Sequence, residues 1–148
     1  MTHRILAILA TIGVLLAPGT ASAAQEMTMW KSPWCGCCDS WANGMRKAGY
    51  RIAVENREEM SPVKKQVGVP VAMEACHTAV IDGYFVEGHV PAEAVARLMS
   101  ERPDIAGIAV PGMPAGSMGM GDDPNARYNV MSVDRSGGVA LYRQVGGR

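Results

Sequence analysis

Apolar and polar residues alternate from Glu26 to Lys31, which predicts a first strand that runs into a turn at Ser32-Pro33. From Cys38 or Asp39 to Ala48 the period lengthens. Trp41, Met45 and Ala48 share one helical face, and Gly49 stands where a C-terminal cap belongs. Gly44 inside this helix costs about 1 kcal/mol relative to alanine, so the helix depends on packing. Tyr50, Ile52 and Val54 alternate again and predict a second strand. Ser61-Pro62 reads as an N-cap followed by proline at the first helical position, and the short helix carrying Val63 and Val67 ends at Gly68. A loop containing Pro70 leads to Cys76-His77. Then Thr78 to Ile81 and Tyr84 to Glu87 flank Asp82-Gly83, the dipeptide that specifies a two-residue hairpin. Pro91 opens a third helix with Val95, Leu98 and Met99 on one face, and Pro103 stops it.

The order strand, helix, strand, helix, strand, strand, helix predicts an α/β domain of thioredoxin-like type over residues 25–103. Beyond Pro103 the composition changes. Val110 to Gly121 is rich in Gly, Pro and Met and excludes regular structure. Tyr128 to Val133 and Val139 to Arg143 then form a looser hairpin around Asp134 to Gly138, so residues 104–148 read as an extension on the same domain. Residues 1–24 have the form of a secretory signal peptide, which predicts export. His3 and Arg4 precede the apolar run Ile5 to Ala17, and Ala21-Ser22-Ala23 offers a cleavage site. The run is shorter than the roughly 20 residues a membrane span needs, so no span is expected after signal cleavage.

Charge narrows the partners little. Fourteen basic residues balance fourteen acidic ones, and no basic stripe points to nucleic acid. Methionine is the unusual component, eleven against one Phe. Met45, Met60, Met73 and Met99 read as core filling. No Ser-His-Asp arrangement or phosphate loop is visible.

Chemistry concentrates in Trp34-Cys35-Gly36-Cys37-Cys38, which holds three of the four cysteines. Cys35 and Cys38 have the spacing of a redox dithiol at a helix start, where the unpaired N–H groups favour a thiolate. Cys37 supplies more sulfur than a dithiol needs, which suits a soft metal. The run resembles the thioredoxin W-C-G-P-C motif with cysteine in place of proline. Cys76 occupies the position before the hairpin where thioredoxin-like proteins carry a cis-proline. There it is expected to face the cluster as a fourth sulfur; a buried, inert cysteine is the bland alternative. Four thiolates suit Zn(II) in tetrahedral geometry, but adjacent Cys37 and Cys38 are awkward for that. Cu(I) accepts bridging thiolates and thioethers. The loop with Met113, Met118 and Met120 offers such thioethers. His77 is expected either to ligate or to orient and hydrogen-bond a neighbouring ligand, and His89 to cap the third helix or lie on the surface.

Taken together, Cys35-Gly36-Cys37-Cys38, Cys76-His77-Thr78, Asp82-Gly83-Tyr84, Glu87-Gly88-His89-Val90-Pro91 and Gly112-Met113-Pro114-Ala115-Gly116-Ser117 resemble the CopG-type periplasmic copper-resistance proteins, long classed as a domain of unknown function. The resemblance implies a thioredoxin-like domain that binds copper through Cys35, Cys37, Cys38 and Cys76. Its C-terminal extension would contribute to the site, with Met113 and Met120 nearby. Met118 departs from the family, which more often has proline there. The expected partners are copper ions and periplasmic copper-carrier or copper-efflux proteins, and the expected activity is copper binding with copper redox cycling. The rival reading from the residues is a thiol–disulfide oxidoreductase using Cys35 and Cys38, and zinc is the alternative metal.

Overall fold

The structure, a computed structural model, describes residues 25–146, so the expected signal peptide lies outside the described residues. The first alternating stretch is strand β1 (Glu26–Lys31), with Met27 and Met29 buried on one face. Helix α1 (Gly36–Lys47) begins before the Cys38 or Asp39 expected, with Cys35 as its N-cap. Periodicity sees only the core-facing stripe, and its first buried member is Cys38. The helix ends as Gly49 predicts. With φ +98° at Gly49, the Gly49 N–H donates to Arg46 O (3.0 Å) and the Tyr50 N–H to Met45 O (3.1 Å).

Strand β2 (Arg51–Asn56) follows, then helix α2 (Ser61–Val67). Ser61 lies inside α2 rather than capping it. Met60 holds the cap position without a side-chain bond, and Pro62 stays in the first turn, where its missing N–H costs nothing. A 3-10 turn at Val71–Met73 leads to the hairpin of β3 (His77–Ile81) and β4 (Tyr84–Glu87). Asp82 (φ +50°) and Gly83 (φ +84°) make the left-handed pair its two-residue turn requires. Helix α3 (Ala92–Glu101) starts after Pro91 and closes on left-handed Arg102, just before Pro103. Three more strands follow: β5 (Gly107–Ala109), β6 (Tyr128–Val133) and β7 (Val139–Val145).

The seven strands form one sheet in the order β2-β1-β3-β4-β5-β6-β7. β1 runs parallel to β2 and antiparallel to β3, β4 runs parallel to β5, and the other neighbours are antiparallel. The chain is a mixed α/β structure with three α-helices among the described residues. β5 was not foreseen, because three residues are too few to display a period. It pairs with both β4 and β6, so the chain beyond Pro103 continues the main sheet. No described helix is long and apolar enough to cross a membrane.

Successive residues of a strand face opposite sides, and the sheet has a core on each. Met27, Met29, Ala79, Ile81, Val86 and Ile108 pack with Trp41 and Met45 of α1 and Val95 and Leu98 of α3. Phe85, Ala109 and Val133 pack with Val69 on the other face, with Val67 and Met73 against them. Burying a methionine such as Met27, Met29 or Met45 contributes about 1.5–3 kcal/mol. Of the methionines expected in the core, Met45 is fully buried; Met60, Met73 and Met99 are half-buried.

Candidate metal centre

Three segments meet at one end of the sheet: the turn from β1 into α1, the residue entering β3, and the loop leaving β4. Lys31, the last residue of β1, is almost fully buried beneath the first. Its Nζ donates to the carbonyls of Ser32 (3.1 Å) and Cys35 (3.5 Å) and pairs with Asp39 (3.2 Å). It thereby fastens the cysteine turn to the start of α1. Trp41, one turn further along, donates its indole N–H to Val90 O at 2.8 Å and ties α1 to the segment that carries His89.

The expected meeting of sulfurs is present. The Sγ atoms of Cys35, Cys37, Cys38 and Cys76 all lie within 4.8 Å of one another. Cys35 and Cys38 are joined as a disulfide, with Cα atoms 5.4 Å apart; Cys37 and Cys76 are free thiols. Cys37 Sγ lies 3.5 Å from Cys35 Sγ. No cis peptide bond occurs among the described residues. Burial first, and then the neighbouring Cys37, push the Cys76 thiol up to about 12.

Two histidines complete the cluster, and here the expectation needs correcting. His89 is neither a surface residue nor a cap. It is fully buried, with Nε2 3.0 Å from Cys76 Sγ and Nδ1 2.8 Å from Met118 O. A carbonyl only accepts, so Nδ1 carries the proton; in the neutral ring the Nε2 lone pair then faces Cys76. His77 is also fully buried. Its ring lies against Trp41 (centroids 4.4 Å apart), its Nδ1 is 3.6 Å from Cys76 Sγ, and its Nε2 has no partner. Cys76, His77 and His89 thus form a second group of donors sharing one sulfur with the first. His89 was hidden in the sequence because its neighbours Gly88 and Pro91 read as loop and helix start; the Glu-Gly-His-Val-Pro motif of the family resemblance was the one signal that marked it.

The loop methionines are spread out. Met113 is 56 % exposed and Met120 half-buried, while the Met118 side chain packs on the main core against Gly44. At the rim, Trp34 is 78 % exposed beside Cys35.

Both buried histidines are held neutral. Burial, with His89 and Lys64 adding to it, keeps His77 well below the ordinary imidazole range, and burial lowers His89 too. Their contribution to stability is complete above the unfolded value of 6.5 and is lost as the pH falls below it, because the unfolded chain takes up protons that the folded chain refuses. Each histidine contributes a slope of at most about 1.4 kcal/mol per pH unit, approached only well below 6.5. Buried Glu87, whose carboxyl is raised, titrates in the opposite sense and offsets at most one of the two. The urea midpoint of the metal-free protein is therefore expected to fall between pH 6.5 and 5.5; a flat profile would contradict burial of both rings.

Comparison with known proteins gives a consistent result. A family profile described as "Protein of unknown function, DUF411" matches residues 73–120, which include Cys76, both buried histidines and the methionine loop. The curated proteins contain no match. Two solved structures, titled copper resistance protein CopG forms 1 and 2, are each 40% identical to this chain. Form 1 superposes with a TM-score of 0.78 over 84% of this chain and 99% of its own; form 2 gives 0.77 over 82% and 98%. With that identity over more than four-fifths of this chain and nearly all of theirs, the chain belongs to the CopG family of copper resistance proteins.

Proposed function

We propose that this is an exported, periplasmic copper-binding protein serving copper tolerance, built on a thioredoxin-like domain with a C-terminal extension. Cys35, Cys37, Cys38 and Cys76 take Cu(I) as cargo, in a small thiolate-bridged cluster with the thioethers of Met113 and Met120 nearby. The convergence of four sulfurs within 4.8 Å carries this reading. Such a donor set is soft, and adjacent Cys37 and Cys38 favour a metal that tolerates shared thiolates. Relatives at 40% identity titled copper resistance proteins support the choice of metal.

The disulfide adds a redox step to the proposal. Two thiolates, those of Cys35 and Cys38, each give one electron to a Cu(II) ion. One S–S bond forms, two Cu(I) ions result, and any thiol protons go to solvent. The closed disulfide leaves Cys37 and Cys76 as the remaining sulfur donors. Copper would then pass to or from carrier or efflux proteins of the same compartment.

Anaerobic titration with Cu(I) against a competing chelator tests the proposal. Losing a group that merely orients a metal ligand costs about 10–100-fold in affinity, so the disulfide form, short of two sulfurs, is expected to bind on the order of 100-fold more weakly than the reduced form. Equal affinities would remove Cys35 and Cys38 from the site. The same disulfide favours a second reading, a thiol–disulfide oxidoreductase. That reading requires reduction of insulin disulfides without metal, and metal analysis of protein from copper-supplemented cells separates it from both copper and zinc binding.

A further inference from the structure

The loop joining β5 to β6 crosses the first turns of α1, and its backbone touches the site at two consecutive residues. At Met118 the carbonyl oxygen accepts the Nδ1 proton of His89 at 2.8 Å. At Gly119 the chain lies so close to α1 that a Cβ would stand 2.7 Å from Trp41 N and 3.0 Å from Cys37 O. Real Cβ atoms do not approach backbone that closely, and neither helix nor loop has a flexible side chain at this point that could yield.

The approach is held from within the loop. Ser117, fully buried, donates its hydroxyl to Pro114 O at 2.7 Å. The Gly119 N–H donates to Asp122 Oδ1 at 3.0 Å, the Gly116 N–H to Met120 O at 2.7 Å, and the Asp123 N–H to Gly116 O at 2.9 Å. The Met118 side chain points the other way, onto Gly44. A single carbonyl therefore reaches His89, and the neighbouring glycine sets how near the loop can come.

We infer that Gly119 is a positioning residue for the cysteine site: its close approach to α1 brings the Met118 carbonyl to His89, which fixes the ring with its Nε2 lone pair on Cys76. The inference rests on the copper-binding reading above for its consequence, but not for its geometry. Without the carbonyl, the imidazole is free to carry its proton on Nε2 and to turn from Cys76. The chemical need is the usual one for a histidine at a metal: its second nitrogen requires a fixed acceptor. Here a loop carbonyl 29 residues away supplies it.

The test begins with the reduced, metal-free, unaltered protein. Long-range nitrogen–proton NMR distinguishes the two tautomers, and loss of the signals in His89→Gln assigns them. The expected result is a proton on Nδ1 and a bare Nε2; a protonated Nε2 overturns the inference whether or not copper binds. Gly119→Ala is then compared with Gly112→Ala. Both positions have left-handed backbone (φ +81° and +72°), but a Cβ at Gly112 meets nothing within 4 Å. Gly119→Ala is expected to mix the tautomers and lower Cu(I) affinity by about 10–100-fold, with Gly112→Ala leaving both unchanged. In a His89→Gln background, Gly119→Ala should have no further effect on affinity. An additive loss there would mean the glycine acts only through general stability.

Discussion

Cys76→Ser is expected to lower the Cu(I) affinity of the reduced protein by on the order of 100-fold or more, while leaving the fold intact. Serine is nearly isosteric, and Cys76 lies at the cluster rather than among the large buried side chains, so the packing cost is small. The loss arises because Cys76 is the one sulfur brought from the middle of the chain and the one that also contacts both buried histidines. Removing Cys37 takes a sulfur from one of the two donor groups; removing Cys76 takes the atom common to both. A competition titration with a chromophoric Cu(I) chelator reads the change directly. Unaltered affinity with an unaltered melting curve would exclude Cys76 from the site and leave the cysteine turn as a simple dithiol.

The second large effect is one of stability. Glu87→Gln is expected to destabilise the protein by about 3–5 kcal/mol, measured by urea denaturation at neutral pH. The Glu87 carboxylate is fully buried and accepts from Lys64 Nζ, from Thr78 Oγ1 at 2.6 Å and from the Ala75 N–H at 2.6 Å. Burial pushes its carboxyl up; Lys64, Thr78 and Ala75 pull it down. With glutamine there, the Lys64 ammonium, almost completely enclosed, loses its counter-charge. The pair itself need not be stabilising, since two apolar groups of similar volume often serve as well. The double variant Lys64→Met/Glu87→Leu should therefore recover much of the loss. Full recovery is not expected, because the Ala75 N–H and the buried Thr78 hydroxyl would lose their side-chain partners at about 1–3 kcal/mol each. A single variant that unfolds at the wild-type midpoint would contradict the buried geometry. Because Ala75 precedes Cys76, the same clamp also sets where the mid-chain sulfur stands.

Features set by neighbouring residues were legible in the sequence. Asp82-Gly83 specified its turn, Gly49 its helix end, and the alternation of Glu26 to Lys31 its strand, because each depends on local dihedral preference or on a period of two. The cysteine turn stood out by its spacing, and the meeting of Cys76 with it was expected from the order of the elements. What escaped depended on contacts between distant segments. β5 is three residues long and owes its state to β4 and β6. His89 is buried by the loop around Met118, and nothing beside it in the chain signals that enclosure. The role of Gly119 is more hidden still, because the group that acts is a backbone carbonyl, which every residue possesses. Ser61 followed the usual statistics of helix starts, yet Met60 took the cap without any side-chain bond.

The methionine loop leaves the sheet after Ala109 and returns on the adjacent strand, where Ala109 faces Met131. Ala109 is thus held one strand spacing, about 5 Å, from Met131, three residues into the strand on which the loop returns. The loop is also tied back on itself through Ser117, Gly119 and Asp123. If the cysteines carry copper as proposed above, a carrier would meet them from the side of the exposed Trp34, with the ion passing by exchange of one thiolate for another.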